Sequence, residues 1–434
     1  HLMSNTIGEA IARLYEASGA KVLRVNYQGD VGLHVAKAIW VLKNKNADLN
    51  EAYTLGTKAY QDDPEAKLEI EEINKKIYDR SDKEINELYD KNKKQSLEYF
   101  ETIYKRLGTK FDYYFFESET AKEGLKIIND NKKIFTESEG ALIFKGEDFG
   151  LHNRVFINSQ GLPTYESKEL GLNKEKFDKC KPDLSIIVTG NEINDYFKVL
   201  LKVMELIMPQ VAEKTRHIGH GMLRLPSGRG VGSRGGALAR PGNSVKMSSR
   251  TGDVITAESL IEQTKRKLPE GESETKEKIA VGAIKYSILK QSPGHDIVFD
   301  FEKSLSIKGD SAPYIQYTFA RLASILRKAK INRQDLFKQV LPVYFSKEVE
   351  FSLIKHILKF PDVVQESGQE LAPQQVVLYI YELAVSANRF YEEVRVLEDD
   401  NEDRRNARLM LVETTAEILK KGLNLLGIEV LERI

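Results

Sequence analysis

The stretch from Lys214 to Gly252 is the part of the sequence best suited to binding phosphate groups or RNA. It carries eight basic residues and no acidic one, in a chain whose formal net charge is zero. Its central part is rich in glycine and shows no apolar periodicity, which indicates a loop. Such a loop can contact a phosphate backbone, and the alternative is a surface loop without a partner. The basic residues are Lys214, Arg216, Arg224, Arg229, Arg234, Arg240, Lys246 and Arg250.

Composition limits the class of protein. A chain of 434 residues is long enough for two or three domains, and 41% hydrophobic and 30% charged residues fit a globular protein. The single cysteine, Cys180, excludes a disulfide framework and a cysteine-based metal cluster, and agrees with a reducing cytosol. No apolar run approaches the roughly 20 residues of a membrane span, and no secretory signal is visible. We therefore expect a cytoplasmic protein.

The beginning of the chain predicts a helix and then a buried parallel strand. Apolar residues follow helical spacing from Met3, and Gly19 is a plausible stop before the strand at 21–27. A domain that starts on a helix feeding a parallel strand lacks the strand that normally precedes that helix. We therefore expect that His1 begins a fragment. The alternative is that His1-Leu2 is a cloning remnant before Met3.

Three further regions differ in composition and in predicted secondary structure. Residues 34–130 are strongly charged and predict an amphipathic helical insertion. Short strands are expected at 141–144, 155–157 and 184–189, with a helix at 195–208, and their alternation predicts a parallel α/β sheet. The rest of the chain from residue 305 is helical, with long amphipathic segments at 375–397 and 403–426, and predicts a helical bundle.

Several blocks, in this order along the chain, resemble the arginyl-tRNA synthetases of class I. The resemblance covers essentially the whole sequence. It implies a Rossmann-like α/β catalytic domain with a helical insertion (residues 1–225), a connecting segment (226–304) and an all-α helical-bundle anticodon-binding domain (305–434). The blocks are Val25 to Gly32, Phe111-Asp112, Glu117-Ser118, Gly161 to Tyr165, Lys246 to Gly252, Tyr314 to Arg321, Ala387 to Tyr391 and Gly422 to Ile434.

The four residues His217-Ile218-Gly219-His220 spell the first ATP motif of class I enzymes, but in the wrong place. That motif belongs near the start of the Rossmann fold. Here the four residues come before Lys246 to Gly252, which resembles the second ATP motif of class I enzymes, at a place where the family has an ordinary strand and turn. We therefore interpret the match as a coincidence. The true motif is expected to end at His1, with Leu2 to Asn5 as its continuation.

The resemblance implies an ATP site formed by His1 and the second motif. Lys246 is expected to stabilise the pyrophosphate side as a mobile point charge, and Ser248 and backbone N–H groups of the loop to donate to phosphate. Arg250 either supplies charge or forms a structural ion pair, and Ser249 stands where many class I enzymes carry a second lysine. Mg²⁺ is expected on the phosphates, with no protein metal site. The predicted ATP-binding residues are His1, Lys246, Met247, Ser248, Ser249 and Arg250.

The resemblance also implies an arginine pocket. Tyr165 matches the family's pocket tyrosine, and Glu169 stands where the family usually carries an aspartate. Glu192 loosely matches a third, polar pocket position, although a surface glutamate is an equally good interpretation. Asp30 is expected to fix its turn rather than to contact substrate.

In the C-terminal region, Tyr391 is expected either to stack on an anticodon base or to pack in the core. Tyr317 has the same two interpretations. Ile434 stands where the family commonly has a methionine that contacts the anticodon loop. The predicted partners are arginine tRNA, L-arginine and ATP. No membrane association is expected, and the protein is predicted to be a monomer.

Two other functions stay open on the sequence. One is a class I synthetase for another amino acid, and the other is a catalytically incomplete fragment that only binds tRNA. The Gly/Arg-rich stretch from Gly228 to Val245 departs from the family pattern, and the sequence does not assign it a role.

Overall fold

The computed structural model describes residues 1–45, 47–226, 256–329 and 344–433, with only the backbone of Asn50. The predicted motif residues Lys246 to Arg250, the stretch Gly228 to Val245 and Ile434 lie outside the described residues. The helices are α1 Leu2–Ala17, α2 Leu33–Asn44, α3 Leu49–Asp62, α4 Pro64–Asp79, α5 Lys83–Arg106, α6 Glu117–Asp130, α7 Tyr165–Cys180, α8 Asn194–Ile207, α9 Pro209–Glu213, α10 Ala257–Arg266, α11 Ser273–Leu289, α12 Phe301–Ser304, α13 Ala312–Ala329, α14 Glu348–Leu358, α15 Phe360–Gln369, α16 Gln374–Glu393 and α17 Glu402–Leu425.

Parallel strand pairs form the frame of the N-terminal half. β1 pairs in parallel with β2, and β6 pairs in parallel with β7. Helices α2 to α5 connect the first pair and helices α8 and α9 connect the second, as parallel pairing requires. The strands are β1 Val25–Gln28, β2 Tyr113–Phe116, β3 Thr136–Ser138, β4 Ala141–Phe144, β5 Arg154–Ile157, β6 Ser185–Gly190, β7 Thr215–His220, β8 Leu223–Arg224 and β9 Ile297–Val298.

One sequence prediction about the strands was wrong. The strands at 141–144 and 154–157 belong to the antiparallel sheet β3–β4–β5 and not to a parallel sheet. The connection between β4 and β5 has no crossover helix, and a short connection favours antiparallel neighbours. Residues 34–130 are mainly helical, as expected. The region also contains β2, which pairs residue for residue with β1.

From residue 305 the described chain is helical, as predicted, and the core of this helical part extends into α1. Ile7 and Leu14 of α1 lie in the same buried cluster as Leu423 and Ile428 near the end of the chain. A second cluster around Trp40 holds α2 to α5 together, and a third joins α8 to the antiparallel sheet through Phe144 and Phe156. None of the helices in the described ranges has the length and apolar character that a membrane span requires.

Candidate active site

The turn after β1 is fixed by Asp30. Its carboxylate accepts hydrogen bonds from the hydroxyls of Tyr89 and Ser118, at 2.8 and 2.7 Å, and from the Ser118 backbone N–H at 2.9 Å. It also pairs with the Lys93 ammonium at 2.6 Å. Burial alone would raise the pKa of Asp30, but the bonds from Lys93 and Ser118 lower it below its ordinary value. The predicted structural role of Asp30 is confirmed, and it ties α5 to the start of α6.

Helices α6 and α7 pack backbone against backbone where Thr120 and Gly124 of α6 meet Ser167 and Gly171 of α7. A Cβ atom at Gly171 would lie 2.0 Å from the Thr120 carbonyl oxygen, so only glycine permits this approach. As a result, Glu117 at the start of α6 meets Lys168 near the start of α7. Their ion pair is 2.8 Å long and both side chains are almost fully buried. Burial raises the pKa of Glu117, which the positive charge of Lys168 partly offsets.

Tyr165 is the first residue of α7 and its side chain is 60% exposed. The Lys168 ammonium lies 5.1 Å from the centre of the Tyr165 ring and 5.5 Å from that of Tyr78, distances at which a cation is attracted to a ring face. The hydroxyl of Tyr196 donates to the Tyr165 carbonyl oxygen at 3.2 Å. An open aromatic ring therefore lies next to a buried ion pair.

Glu169 follows Lys168 and is 7% exposed. Among the described residues it forms no ion pair shorter than 4.0 Å, and its carboxylate accepts no hydrogen bond. Burial raises the pKa of Glu169 and lowers the pKa of Lys176, two turns further along α7. Burial, followed by the charges of Glu169 and Glu117, raises the pKa of Tyr27 at the end of β1. Glu117 and Glu169 therefore form a buried acidic pair within electrostatic reach of one tyrosine.

Glu192 lies in the turn between β6 and α8. Burial lowers the pKa of the His1 amino group, and the negative charge of Glu192 partly offsets this effect. The Glu192 carboxylate folds back over Gly190, where an added Cβ would lie 2.4 Å from Oε2. Glu192 is exposed. Burial also lowers the pKa of His220, and the negative charge of Glu192 partly offsets this effect as well. Of the three predicted pocket residues, Tyr165 and Glu169 therefore share α7, and Glu192 lies in the turn before α8.

The segment from His217 to His220 lies in β7, as the interpretation of a coincidental motif expects. His217 stacks on Phe197 with ring centres 3.8 Å apart, and its Nε2 lies 2.6 Å from the Thr189 hydroxyl. Burial lowers the pKa of His217 to about 4. Gly219 leaves no room for a side chain, because a Cβ there would lie 2.2 Å from the Asn194 side-chain oxygen. These residues are explained by packing within β7.

His220 nevertheless contacts the helix that follows His1. Its Nδ1 lies 2.7 Å from the carbonyl oxygen of Gly221, so Nδ1 carries the proton. Its Nε2 is then free to accept a hydrogen bond, and the Ser4 hydroxyl donates to it at 2.8 Å. The first turn of α1 is thereby held at the carboxyl end of β7.

His1 is the N-cap of α1, and its carbonyl oxygen accepts from the Asn5 N–H at 2.9 Å. Its side chain is exposed and makes no capping hydrogen bond. The free N–H groups and the positive dipole end of a helix N-terminus suit a phosphate. Within the described ranges, no group of three or more His, Cys, Asp or Glu side chains is placed to hold a metal ion.

In the helical bundle, the guanidinium of Arg321 lies between two tyrosines. Its carbon is 4.9 Å from the centre of the Tyr317 ring and 4.8 Å from that of Tyr391. The side chain of Asn388, on α16, accepts a hydrogen bond from Arg321 at 2.8 Å and donates one to the Thr318 hydroxyl at 2.8 Å. Asn388 therefore holds the Arg321 side chain in place. Tyr391 is 42% exposed, and its interpretation as a core residue was wrong.

Glu117, Lys168 and Arg321 were not predicted as site residues from the sequence. Glu117 was noted only as part of a resembling pair, and Lys168 lies between the two predicted pocket residues Tyr165 and Glu169. Helical spacing puts Tyr165, Lys168 and Glu169 on one face, and this signal could have drawn attention to Lys168.

Comparison with known proteins agrees with this architecture. Residues 1–301 match the family described as tRNA synthetases class I (R), catalytic domain, and residues 315–434 match the DALR anticodon binding domain. The fold and its helical bundle are thus those of a class I tRNA synthetase. An arginine–tRNA ligase of Clostridium kluyveri is 30% identical over 459 residues, covering all of this chain and 77% of the relative. The chain belongs to the arginyl-tRNA synthetase family.

Other relatives give the same result. An arginine–tRNA ligase of Parabacteroides distasonis is 28% identical over 472 residues, covering all of this chain and 78% of the relative. The solved arginyl-tRNA synthetase of Thermus thermophilus superimposes with a TM-score of 0.80 at 24% identity, covering the whole chain and 79% of that structure. This last match shows the shared fold.

Proposed function

We propose that this protein is an arginine–tRNA ligase. The carboxylate of L-arginine attacks the α-phosphate of ATP, which releases pyrophosphate and leaves arginyl-adenylate. A ribose hydroxyl at the 3′ end of the tRNA then attacks the arginyl carbonyl and releases AMP. The observation that carries the proposal is the buried acidic pair Glu117 and Glu169 next to the open ring of Tyr165. A guanidinium is recognised best by carboxylates that accept its planar fork of donors.

The adenylate-forming centre is proposed to lie between this pocket and the first turn of α1. In this arrangement His1 and the N-terminus of α1 contact ATP. Its phosphates are contacted by the residues of the second ATP motif, which are Lys246, Met247, Ser248, Ser249 and Arg250. Glu192 stands beside α1, where it could meet the α-ammonium of the arginine. Mg²⁺ arrives with the ATP phosphates. Positioning and charge neutralisation supply most of the rate.

The helical bundle is proposed to bind the anticodon loop of arginine tRNA. Tyr391 and Tyr317, with Arg321 between them, offer aromatic and cationic faces on which an unstacked base can lie. Ile434 would add an apolar contact. We further propose that the protein acts as a monomer in the cytoplasm.

Arginine-dependent exchange of labelled pyrophosphate into ATP, measured on the complete encoded protein with its tRNA present, tests the activity. Exchange is expected with arginine and not with lysine, glutamate or cysteine. Lys246→Ala is expected to lower the exchange rate by two orders of magnitude or more, as for other groups that stabilise transition-state charge. Exchange that depends on another amino acid would overturn the proposal.

A further inference from the structure

Lys168 occupies a cage that has the chemistry a substrate guanidinium needs. Its ammonium donates to Glu117 Oε2 at 2.8 Å and lies 5.1 and 5.5 Å from the ring centres of Tyr165 and Tyr78. A carboxylate with two flanking aromatic rings recognises any organic cation of this size. Lys168 is 4% exposed and is therefore part of the pocket and not a surface lysine.

The charges of this region are balanced before a substrate binds. Each buried carboxylate of this region has a cation. Glu117 pairs with Lys168 and Glu169 interacts with Lys176. Asp30 pairs with Lys93, and Glu166 lies 4.0 Å from Arg154. A substrate guanidinium adds one more cation to these buried groups. An uncompensated buried charge is expensive, so one cation has to leave or lose its proton when the substrate enters.

We propose that Lys168 is an internal competitor of the substrate guanidinium and thereby a specificity determinant of the pocket. In the free protein its ammonium neutralises Glu117, and when arginine binds, the guanidinium takes this carboxylate and the lysine swings out of the cage. A lysine side chain is a flexible stem that permits this movement. The inference rests on the proposed function, because it assumes that arginine is the substrate.

Competition of this kind selects for arginine over similar amino acids. When lysine or ornithine binds, its ammonium replaces the ammonium of Lys168 at the Glu117 carboxylate, so no binding free energy is gained at this carboxylate. A guanidinium gains a second, parallel hydrogen bond to the carboxylate. Neutral citrulline cannot replace the lost positive charge beside Glu117. Rejection therefore comes from the internal lysine, which every ligand has to displace.

The alternative is that Lys168 is a fixed structural partner of Glu117. The two roles predict opposite effects of Lys168→Met on arginine binding. A fixed partner supports the pocket, so its loss weakens arginine binding or leaves it unchanged. A competitor opposes the substrate, so its loss strengthens arginine binding.

Calorimetric titration of the complete protein with L-arginine, L-lysine and L-citrulline tests the inference. For Lys168→Met we expect the dissociation constant for arginine to fall about tenfold, equivalent to about 1.4 kcal/mol, and the preference for arginine over lysine to shrink. The melting temperature without ligand should fall, because Glu117 is left buried and unpaired, and saturating arginine should raise it by more than in the wild type. Lys43→Met, which removes a lysine from the surface pair with Glu84, is the matched control and should behave like the wild type.

Lys168→Arg keeps the ion pair and covers the case in which Lys168→Met does not fold. A built-in guanidinium competes better than an ammonium, so the dissociation constant for arginine should rise about tenfold. Equal or weaker arginine binding by Lys168→Met, or unchanged or tighter binding by Lys168→Arg, would overturn the inference. If the wild type neither binds nor activates arginine, the proposed function itself fails, and this outcome is distinct from the other two.

Discussion

Gly124 of α6 lies directly against the backbone of Ser167 in α7. A Cβ atom added at Gly124 would lie 1.9 Å from the Ser167 carbonyl oxygen, which is closer than any real contact of this kind. Lys168 and Glu169 follow Ser167 immediately, and Glu117 begins the helix that carries Gly124. The spacing of the two helices therefore sets the distance between the buried carboxylates.

Gly124→Ala is expected to push α6 and α7 apart. We expect a loss of about 2 kcal/mol or more in the free energy of unfolding, as for overpacked interiors, and a raised KM for arginine. Chemical denaturation and pyrophosphate exchange measure the two effects. Gly271→Ala is the control, since an added Cβ there meets nothing within 4 Å, and it should change stability by less than about 0.5 kcal/mol. Equal effects of the two substitutions would contradict the role of the helix contact.

Glu169→Gln keeps the size of the side chain and removes its charge. Because a charge-assisted hydrogen bond to a guanidinium is worth roughly 1.5–3 kcal/mol, KM for arginine should rise by about tenfold or more while KM for ATP stays unchanged. Asp178→Asn, on the exposed side of the same helix, is the control. A change in KM for ATP without a change in KM for arginine would place Glu169 outside the arginine pocket.

Lys285→Met is expected to loosen the junction between the catalytic half and the helical bundle. The buried ammonium of Lys285 donates to the carbonyl oxygens of Leu107 and Gly427, both at 2.6 Å. Without a donor these buried carbonyls cost about 1–3 kcal/mol of stability, measurable by thermal or urea unfolding. Lys278→Met removes a half-buried lysine of the same helix, whose ion pairs are with the exposed Glu274 and Glu429, and should have little effect. Equal losses for the two variants would show that the buried donor is unimportant.

His217 is expected to make stability depend on pH between about 4 and 6.5. Burial lowers the pKa of His217 to about 4, below the ordinary value of 6.5, so the unfolded chain binds more protons in this interval. The stabilisation is complete above pH 6.5 and is lost as the pH falls through 4, by about 1–3 kcal/mol. His217→Phe, which can keep the stack on Phe197, should flatten the pH profile of urea unfolding over this interval. An unchanged profile would contradict this assignment.

Tyr391→Ala is expected to weaken tRNA binding. Loss of one stacked base costs about 1–3 kcal/mol, so KM for tRNA should rise about tenfold while the dissociation constant for arginine does not change. Tyr391→Phe keeps the ring and should stay close to the wild type in aminoacylation assays. If both variants charge tRNA normally, Tyr391 does not contact the anticodon loop.

The local parts of the fold followed from the sequence, and the contacts between distant residues did not. Helical periodicity predicted the two last long helices to within a few residues of α16 and α17, and the strand β4 was predicted at its observed bounds. The pairing of Glu117 with Lys168 crosses 51 positions and depends on two glycines that let helices touch. Similarly, the sandwich of Arg321 between tyrosines joins α13 to α16. Periodicity carries no information on which helices become neighbours.

The core shared by α1 and the end of the chain has a consequence for biosynthesis. Arg13 of α1 donates to the Asn424 carbonyl oxygen at 2.9 Å, and Met3 and Leu14 are buried in the same cluster as Leu426. These apolar side chains of α1 leave the ribosome some 400 residues before their partners, since domains form as the chain emerges. Helix α1 therefore stays incompletely packed, and in need of protection from aggregation, until its partners near Leu426 have emerged.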